Sequence, residues 1–381
     1  MTLRNVALLI ETSNAYARGL LRGIVSYIRE FGPWSIYFAE HGRGDGPPAW
    51  LDTWEGHGVI ARIENRAIAR VLRKLKIPIV DVSAARLLPE LPWFETDDAA
   101  IARLAAQHLL ERGLKHFAFC GDIRFNWSNW RCEHFQKFIA AAGYDCAVYR
   151  HALPHAADEE WEIEEISSWV AGLPKPIGIF ACYDFRGRQV LDACRRQNIV
   201  VPEAVAVIGM DNDELLCSLA NPPLSSVIPN THRTGYEAAA LLDRLMSGES
   251  FAPEAHFIEP LGIATRQSTD VLAIEDANVA RAVRFIRERA CDGISVKDVL
   301  RAAPQSRRVL ETRFQKLIGR TPHEEIVRVR LDRARTLLTE TDLPLAVIAQ
   351  RAGFAHVEYL SVVFKKHLGI PPSKFRAFNQ H

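Results

Sequence analysis

A thirteen-residue pattern in the last third of the chain returns 50 positions later. Leu310, Phe314, Lys316, Ile318, Gly319 and Pro322 recur as Leu360, Phe364, Lys366, Leu368, Gly369 and Pro372. Ahead of each copy stands a short stretch with apolar residues at i, i+3 and i+4. These are Val296, Val299 and Leu300 before the first copy, and Leu345, Ile348 and Ala349 before the second. That spacing fills one face of a helix. Each copy therefore reads as a short helix, a tight turn, a second helix, a glycine stop and a proline beyond it. Two helix-turn-helix units in one all-α domain suit two adjacent stretches of DNA major groove, about 34 Å apart.

Charge agrees with that reading. Residues 277–381 hold 20 Lys and Arg against 10 Asp and Glu; the whole chain has 47 against 46, so residues 1–276 hold 27 against 36. A basic module fits phosphate contact, and an acidic body argues against the whole protein coating nucleic acid. The first recognition helix is expected from about Ser306 to Leu317, with Leu310, Phe314 and Leu317 inward. Arg307, Arg308, Glu311 and Thr312 then point outward. Arg308 suits the O6 and N7 acceptors of guanine, and Glu311 suits the N4 donor of cytosine. In the second helix His356, Val357, Glu358 and Tyr359 form the exposed N-terminal set. Arg313 and Lys366 are phosphate candidates. For any single one of these residues a plain surface role stays open.

With 381 residues, 48% hydrophobic, the chain has room for two or three domains. Its seven cysteines are scattered and never spaced C-x-x-C. Reduced thiols in the cytoplasm are expected, with no metal site and no disulfide framework. The first apolar run, Val6–Ile10, is too short for a signal-peptide core, and no run approaches a membrane span.

Through residue 270 short apolar runs alternate with amphipathic stretches. The runs include Val6–Ile10, Trp34–Ala39, Gly58–Ala61, Ile77–Val82, His116–Gly121, Pro176–Ala181, Ala204–Gly209 and a last one over Phe257–Arg266. This is the signature of parallel sheets covered by helices on both faces, and the length calls for two α/β lobes. The expected organisation is a sensing unit over 1–270, a linker over 271–277 and a reader over 278–381.

Ligands of such sheets lie beyond the C-terminal strand ends. The residues delivered there are Ser13, Asn14 and Tyr16; Asp97 and Asp98; Trp130 and Arg131; Tyr183 and Asp184; Asp211 and Asn212; and Asn230. Of these, Ser13, Asn14, Tyr16, Asp97, Trp130, Arg131, Tyr183, Asp184, Asp211 and Asn230 are the candidate effector contacts. Carboxylates and amides pair with hydroxyls, a guanidinium gives a fixed fork, and a flat ring covers a sugar's C–H face. Several of the same residues also suit helix caps: Asp97 or Asp98 for a helix starting near Ala99, Asn14, and Asp184 and Asp211 at their strand ends; for Arg131 a surface salt bridge stays open. For Trp127 and Trp130 packing is the plainer alternative.

Two stretches carry a family resemblance. Thr96-Asp-Asp-Ala-Ala, Trp130-Arg-Cys-Glu-His-Phe135, Cys182-Tyr-Asp184 and Val207-Ile-Gly-Met-Asp-Asn212 with Pro223-Leu-Ser-Ser-Val227 resemble a lactose-repressor-type effector domain, a relative of periplasmic sugar-binding proteins. Ile348-Ala, Gly353-Phe354, Phe364-Lys-Lys and Gly369-Ile-Pro-Pro-Ser-Lys-Phe-Arg376 resemble an AraC-type DNA-binding domain. Together they imply a periplasmic-binding-protein-like sensor with two lobes, joined to a reader of double-stranded operator DNA. They also imply a homodimer, contact with RNA polymerase, an activating role, and D-xylose or a related sugar as effector with no cofactor. A different small metabolite as effector stays open. An enzyme is not expected, because the chain holds no G-x-S-x-G, no H-E-x-x-H and no phosphate loop of the G-x-x-x-x-G-K kind. Gly42-Arg-Gly-Asp-Gly46 runs into Pro47-Pro48, which makes it a loop.

Overall fold

The computed structural model describes residues 3–39, 42, 45–149, 159–270, 276–341 and 343–379. The chain divides into two compact units, Met1–Val271 and Leu272–His381. Residues 271–275 of the expected linker lie outside the described residues, and Asp276 already caps the first helix of the second unit.

The first unit alternates strand and helix. In chain order it contains β1 (Arg4–Leu9), α1 (Ala15–Phe31), β2 (Trp34–Phe38), β3 (Gly58–Ala61), α2 (Arg66–Leu72), β4 (Ile79–Asp81), β5 (Trp93–Thr96) and α3 (Asp98–Leu110). There follow β6 (His116–Cys120), α4 (Asn126–Ala141), β7 (Cys146–Tyr149), α5 (Glu159–Gly172), β8 (Ile177–Ala181), α6 (Asp184–Arg196) and β9 (Val205–Met210). The unit ends with α7 (Glu214–Leu219), β10 (Ser225–Ile228), α8 (Thr231–Met246), β11 (Ala255–Ile258) and β12 (Gly262–Ala264).

Two sheets result, in the orders β11-β5-β4-β3-β1-β2 and β12-β10-β9-β8-β6-β7. Central strands such as β3, β8 and β9 are buried along their whole length, as a parallel sheet covered on both faces requires. The apolar run expected as one strand over Phe257–Arg266 is two. Its first part belongs to β11 of one lobe, and its second pairs antiparallel as β12 in the other, with Pro260 breaking the run between them. The chain thus crosses between the lobes three times: from β5 to α3, from β10 to α8, and from β11 to β12.

Helix α8 returns to the first lobe and lies along α1. Small residues permit the approach. A Cβ on Gly23 would stand 2.0 Å from the His232 carbonyl oxygen, and one on Gly235 would stand 2.0 Å from that of Leu20.

The second unit is all helix: α9 (Ala277–Arg289), α10 (Val296–Ala302), α11 (Arg307–Ile318), α12 (Pro322–Glu340), α13 (Leu345–Arg351), α14 (Val357–Leu368) and α15 (Pro372–Asn379). The repeat explains its stops and starts. Gly319 and Gly369 close α11 and α14 in the left-handed conformation, at φ 76° and 77°, which a residue with a Cβ adopts at a cost. Pro322 opens α12 behind a Thr321–Glu324 capping box. The unit has two small cores. One joins α9, α10 and α11 to the start of α12 through Val283, Val299, Leu310, Phe314 and Ile326. The other joins α13 and α14 to its end through Leu338, Ile348, Leu360 and Phe364.

Gly23→Val places a branched side chain against backbone and should destabilise the first unit by about 1–3 kcal/mol or more. Gly172→Ala meets nothing within 4 Å and should be near neutral. Urea unfolding midpoints check both, and equal midpoints would refute the close-packing account.

Candidate functional site

The C-terminal ends of the strands from both sheets face one cavity of about 390 Å³. That size suits a small ligand. Seven of the residues expected at an effector site line it: Ser13, Asn14, Tyr16, Arg131, Tyr183, Asp184 and Asp211. Arg62, Glu95, Trp127, Phe185 and Asp213 line it as well.

Arg131 is 4% exposed. Its Nε donates to Asp98 Oδ1 at 2.6 Å and its Nη1 to the Cys182 carbonyl at 2.7 Å, while Trp127 lies under the guanidinium at 4.8 Å. Burial works against its charge, but the Asp98 and Asp211 carboxylates outweigh it and hold the group protonated. Arg62 is pinned by Glu11 and Glu64 and lies 5.3 Å over the Tyr16 ring. Desolvation raises the Tyr16 phenol, so it stays a neutral hydroxyl.

The turn after β9 carries unusual backbone. Asp211 and Asn212 have φ of 111° and 47°, a conformation that persists only where neighbours impose it. Asp184 is one such neighbour. Its Oδ2 accepts the Asp213 N–H at 2.8 Å and its Oδ1 accepts the Ser226 hydroxyl at 2.6 Å. Arg266 Nη2 donates to Asn212 Oδ1 at 2.9 Å. Asp184 therefore holds the turn that presents Asp211. Burial, with the Asp211 carboxylate beside it, pushes Asp184 up to about 8.

Three expected residues stand elsewhere. Asp97 is the N-cap of α3, accepting from the Ala100 N–H, and Asn230 caps α8 in the same way through Arg233. Trp130 lies half-buried under the Arg86 guanidinium, 4.2 Å from it. None of the three is among the cavity's lining residues. Asn14 both caps α1 and lines the cavity. Arg62 and Glu95 were not among the expected residues, though Arg62 directly follows β3, the signal that marked Asp184 and Asp211, and Glu95 lies next to the last residue of β5.

The two lobes touch across the cavity. On one rim Asn126 Nδ2 of α4 donates to the Ala84 and Ala85 carbonyls, each at 3.3 Å. On another, Arg18 of α1 stands 3.9 Å from Asp213. Among the described residues no cluster of three or more His, Cys, Asp or Glu could hold a metal ion, and no helix is long and apolar enough to cross a membrane.

In the second unit α11 begins behind Ser306, which caps it. Arg307, Arg308, Thr312 and Arg313 are exposed, as are His356, Glu358, Tyr359 and Lys366. Leu317, expected inward, is partly buried against its core. Val357, expected outward, is also partly buried, packed on the second core at the start of α14; Val362, 65% exposed, faces out instead. Arg307 Nε donates to Glu311 Oε1 at 2.8 Å, and Arg313 Nη1 to Asp276 Oδ2 at 2.7 Å. Glu325, wholly buried, anchors the base of the reader by ion pairs with Arg287, Arg320 and Arg328.

Comparison with known proteins gives one consistent answer. Residues 5–99 match the XylR N-terminal domain family, 106–269 the periplasmic binding protein-like domain family, and 299–377 a helix-turn-helix domain family. A solved structure described as the xylose-binding transcription activator XylR superposes with a TM-score of 0.82 at 32% identity, covering 100% of both chains. The xylose operon regulatory protein of Haemophilus influenzae is 32% identical, covering 97% of each chain. That of Escherichia coli strain K12 is 34% identical over 98% of this chain and 97% of its own length. The chain belongs to the family of xylose operon regulatory proteins, transcription regulators that join a periplasmic-binding-protein-like sensor to an AraC-type DNA-binding domain.

Proposed function

We propose that the chain binds D-xylose in the cavity between its sensor lobes and, as a homodimer, activates pentose-catabolic genes from operator DNA, in contact with RNA polymerase. The cavity lining carries this reading. Asp211, Glu95, Asp213 and Asn14 offer acceptors and donors to hydroxyls, and Arg62 and Arg131 offer fixed forks. Tyr16, Trp127 and Tyr183 offer rings, the last two meeting edge to face at 5.6 Å. That combination suits a neutral polyol. The Escherichia coli relative is named for the xylose operon, and the superposing structure is described as xylose-binding. Seven free cysteines fit a reducing cytoplasm. Sugar bound to both faces favours the closed lobes, and closure moves the surfaces that pair two sensors.

Calorimetric titration with D-xylose, L-arabinose, D-ribose and D-glucose tests the effector. D-xylose should saturate, and Asp211→Asn should weaken it by at least about tenfold, the loss of roughly one charge-assisted hydrogen bond. A wild-type chain that binds none of the four would overturn the sugar reading.

The raised Asp184 has a consequence for stability. A folded-state value of about 8 lies above the ordinary carboxyl value, so the neutral acid stabilises the fold. That contribution is complete below about pH 4 and is lost as pH rises toward 8. The amide of Asp184→Asn keeps a partner on each side without a proton to lose. Wild type should therefore lose stability relative to Asp184→Asn between about pH 5 and pH 7, with a slope approaching about 1.4 kcal/mol per pH unit. Parallel urea-unfolding profiles for the two proteins would show that Asp184 ionises normally.

On the reader, Arg308→Ala should weaken operator binding by roughly 1–3 kcal/mol and relax preference at one base pair. Gel-shift titrations over single-base operator variants read this. A loss equal across all variants assigns Arg308 to phosphate instead.

A further inference from the structure

Arg86 is not among the residues that line the cavity, yet it joins the cavity to the opposite lobe. It stands on the loop between β4 and β5 with φ of 50°, a left-handed conformation uncommon for a residue with a Cβ. Its neighbours hold it there. The guanidinium donates to Glu95 Oε1. It lies 5.2 Å over the ring of Trp93, in its own lobe, and 4.2 Å over the ring of Trp130, on α4 of the other lobe. The Asn126 bonds to Ala84 and Ala85 run beside this stack. A guanidinium against indole faces is the favoured form of cation–π contact, and it strengthens as water is excluded.

Glu95 is 3% exposed and lines the cavity. One of its oxygens serves Arg86. The other, Oε2, is buried and meets no donor in hydrogen-bond geometry among the described residues, although the Trp93 indole lies beside the carboxylate. A buried acceptor left in this state is costly unless something fills it.

We propose that Arg86 is a latch coupling the effector to cleft closure: Glu95 accepts a hydroxyl of the bound sugar on Oε2 and, through Oε1, holds Arg86 where it caps Trp130 of the opposite lobe. Arg86 and Trp130 are positioning residues, since neither lines the cavity. The latch rests on the sugar-sensing reading. It stabilises only the closed arrangement, so its loss lowers the closed fraction and the apparent affinity by the same factor.

The test uses the full chain. D-xylose affinity is measured by calorimetry, and compaction at each D-xylose concentration by small-angle scattering, for wild type, Arg86→Ala, Arg86→Lys, Trp130→Ala, Trp130→Phe and the Arg86→Ala/Trp130→Ala double variant. Each alanine variant should bind D-xylose about tenfold more weakly and compact less at equal concentration. Trp130→Phe keeps a ring and should recover most of the affinity, while Arg86→Lys, which cannot stack as a plane, should recover less. The double variant should be no weaker than the weaker single, as for two halves of one contact. Wild-type affinity in both single alanine variants, or losses that multiply in the double variant, overturns the latch while leaving the sugar reading intact. Should the alanine variants unfold, Trp130→Phe and Arg86→Lys carry the test alone, and equal affinity in those two overturns the ranking of ring and fork on which the latch depends. A wild type that binds no D-xylose overturns the sugar reading itself.

Discussion

The three crossings between the lobes are the constraint from which the rest of the sensor follows. Because the strands of each sheet that line the cleft are parallel, they end on the same side, and the crossings turn those two sides toward each other. Every loop after such a strand then delivers side chains to one gap. The crossing at Thr96–Asp98 does more than connect. Asp97 caps α3 and Asp98, the next residue, pairs with the buried Arg131. A single dipeptide therefore starts the helix that enters the second lobe and fixes the guanidinium on that lobe's side of the cavity. Removing Asp98 would leave a buried charge without its partner, a heavier loss than an exposed pair could cause.

Much of this was legible in the sequence. Alternating apolar runs and amphipathic stretches mark a doubly covered parallel sheet, and the 50-residue repeat marks the two reader units. Seven of ten expected effector residues line the cavity because strand ends in such folds point one way. The three that do not show where the sequence is mute. An Asp or Asn after a strand satisfies either a helix N-terminus or a ligand, and only the angle of the following helix decides. Asp97 and Asn230 spend their oxygens on backbone N–H groups, whereas Asn14 does so and still reaches the cavity. Trp127 and Trp130 are three residues apart on α4. The first turns to the cavity and Arg131, the second to Arg86, and no pattern of neighbours in the sequence separates those directions. Arg62 carried the strand-end signal, but a charged residue after an apolar run is also the ordinary way for a strand to reach water, and Glu95 sits within β5 itself. Likewise Val357 and Val362 are alike on paper. The first is held against the core by its place at the helix start, and the second, five residues on, faces out.

Exposed arginines of the reader are paired within their own unit. Arg307 is paired with Glu311 one turn away, and Arg313 with Asp276, the cap of α9. Both arginines are substantially exposed, with side chains 66% and 52% accessible against 38% for Glu311 and 18% for Asp276, so each pair is open to water on its arginine side and contributes modestly to stability. Exchanging either carboxylate for another acceptor therefore costs little. The two exchanges differ in what they release. Freeing Glu311 makes an acceptor available on the same helix face, beside Arg308. Freeing Asp276 loosens a residue that directly follows the stretch joining sensor to reader, while Asp276 keeps its bonds to the Asn278 and Val279 N–H groups through Oδ1. The cap thus persists when Arg313 leaves. The start of α9 therefore does not depend on the Arg313 pair, because the oxygen that caps the helix is not the one that Arg313 holds.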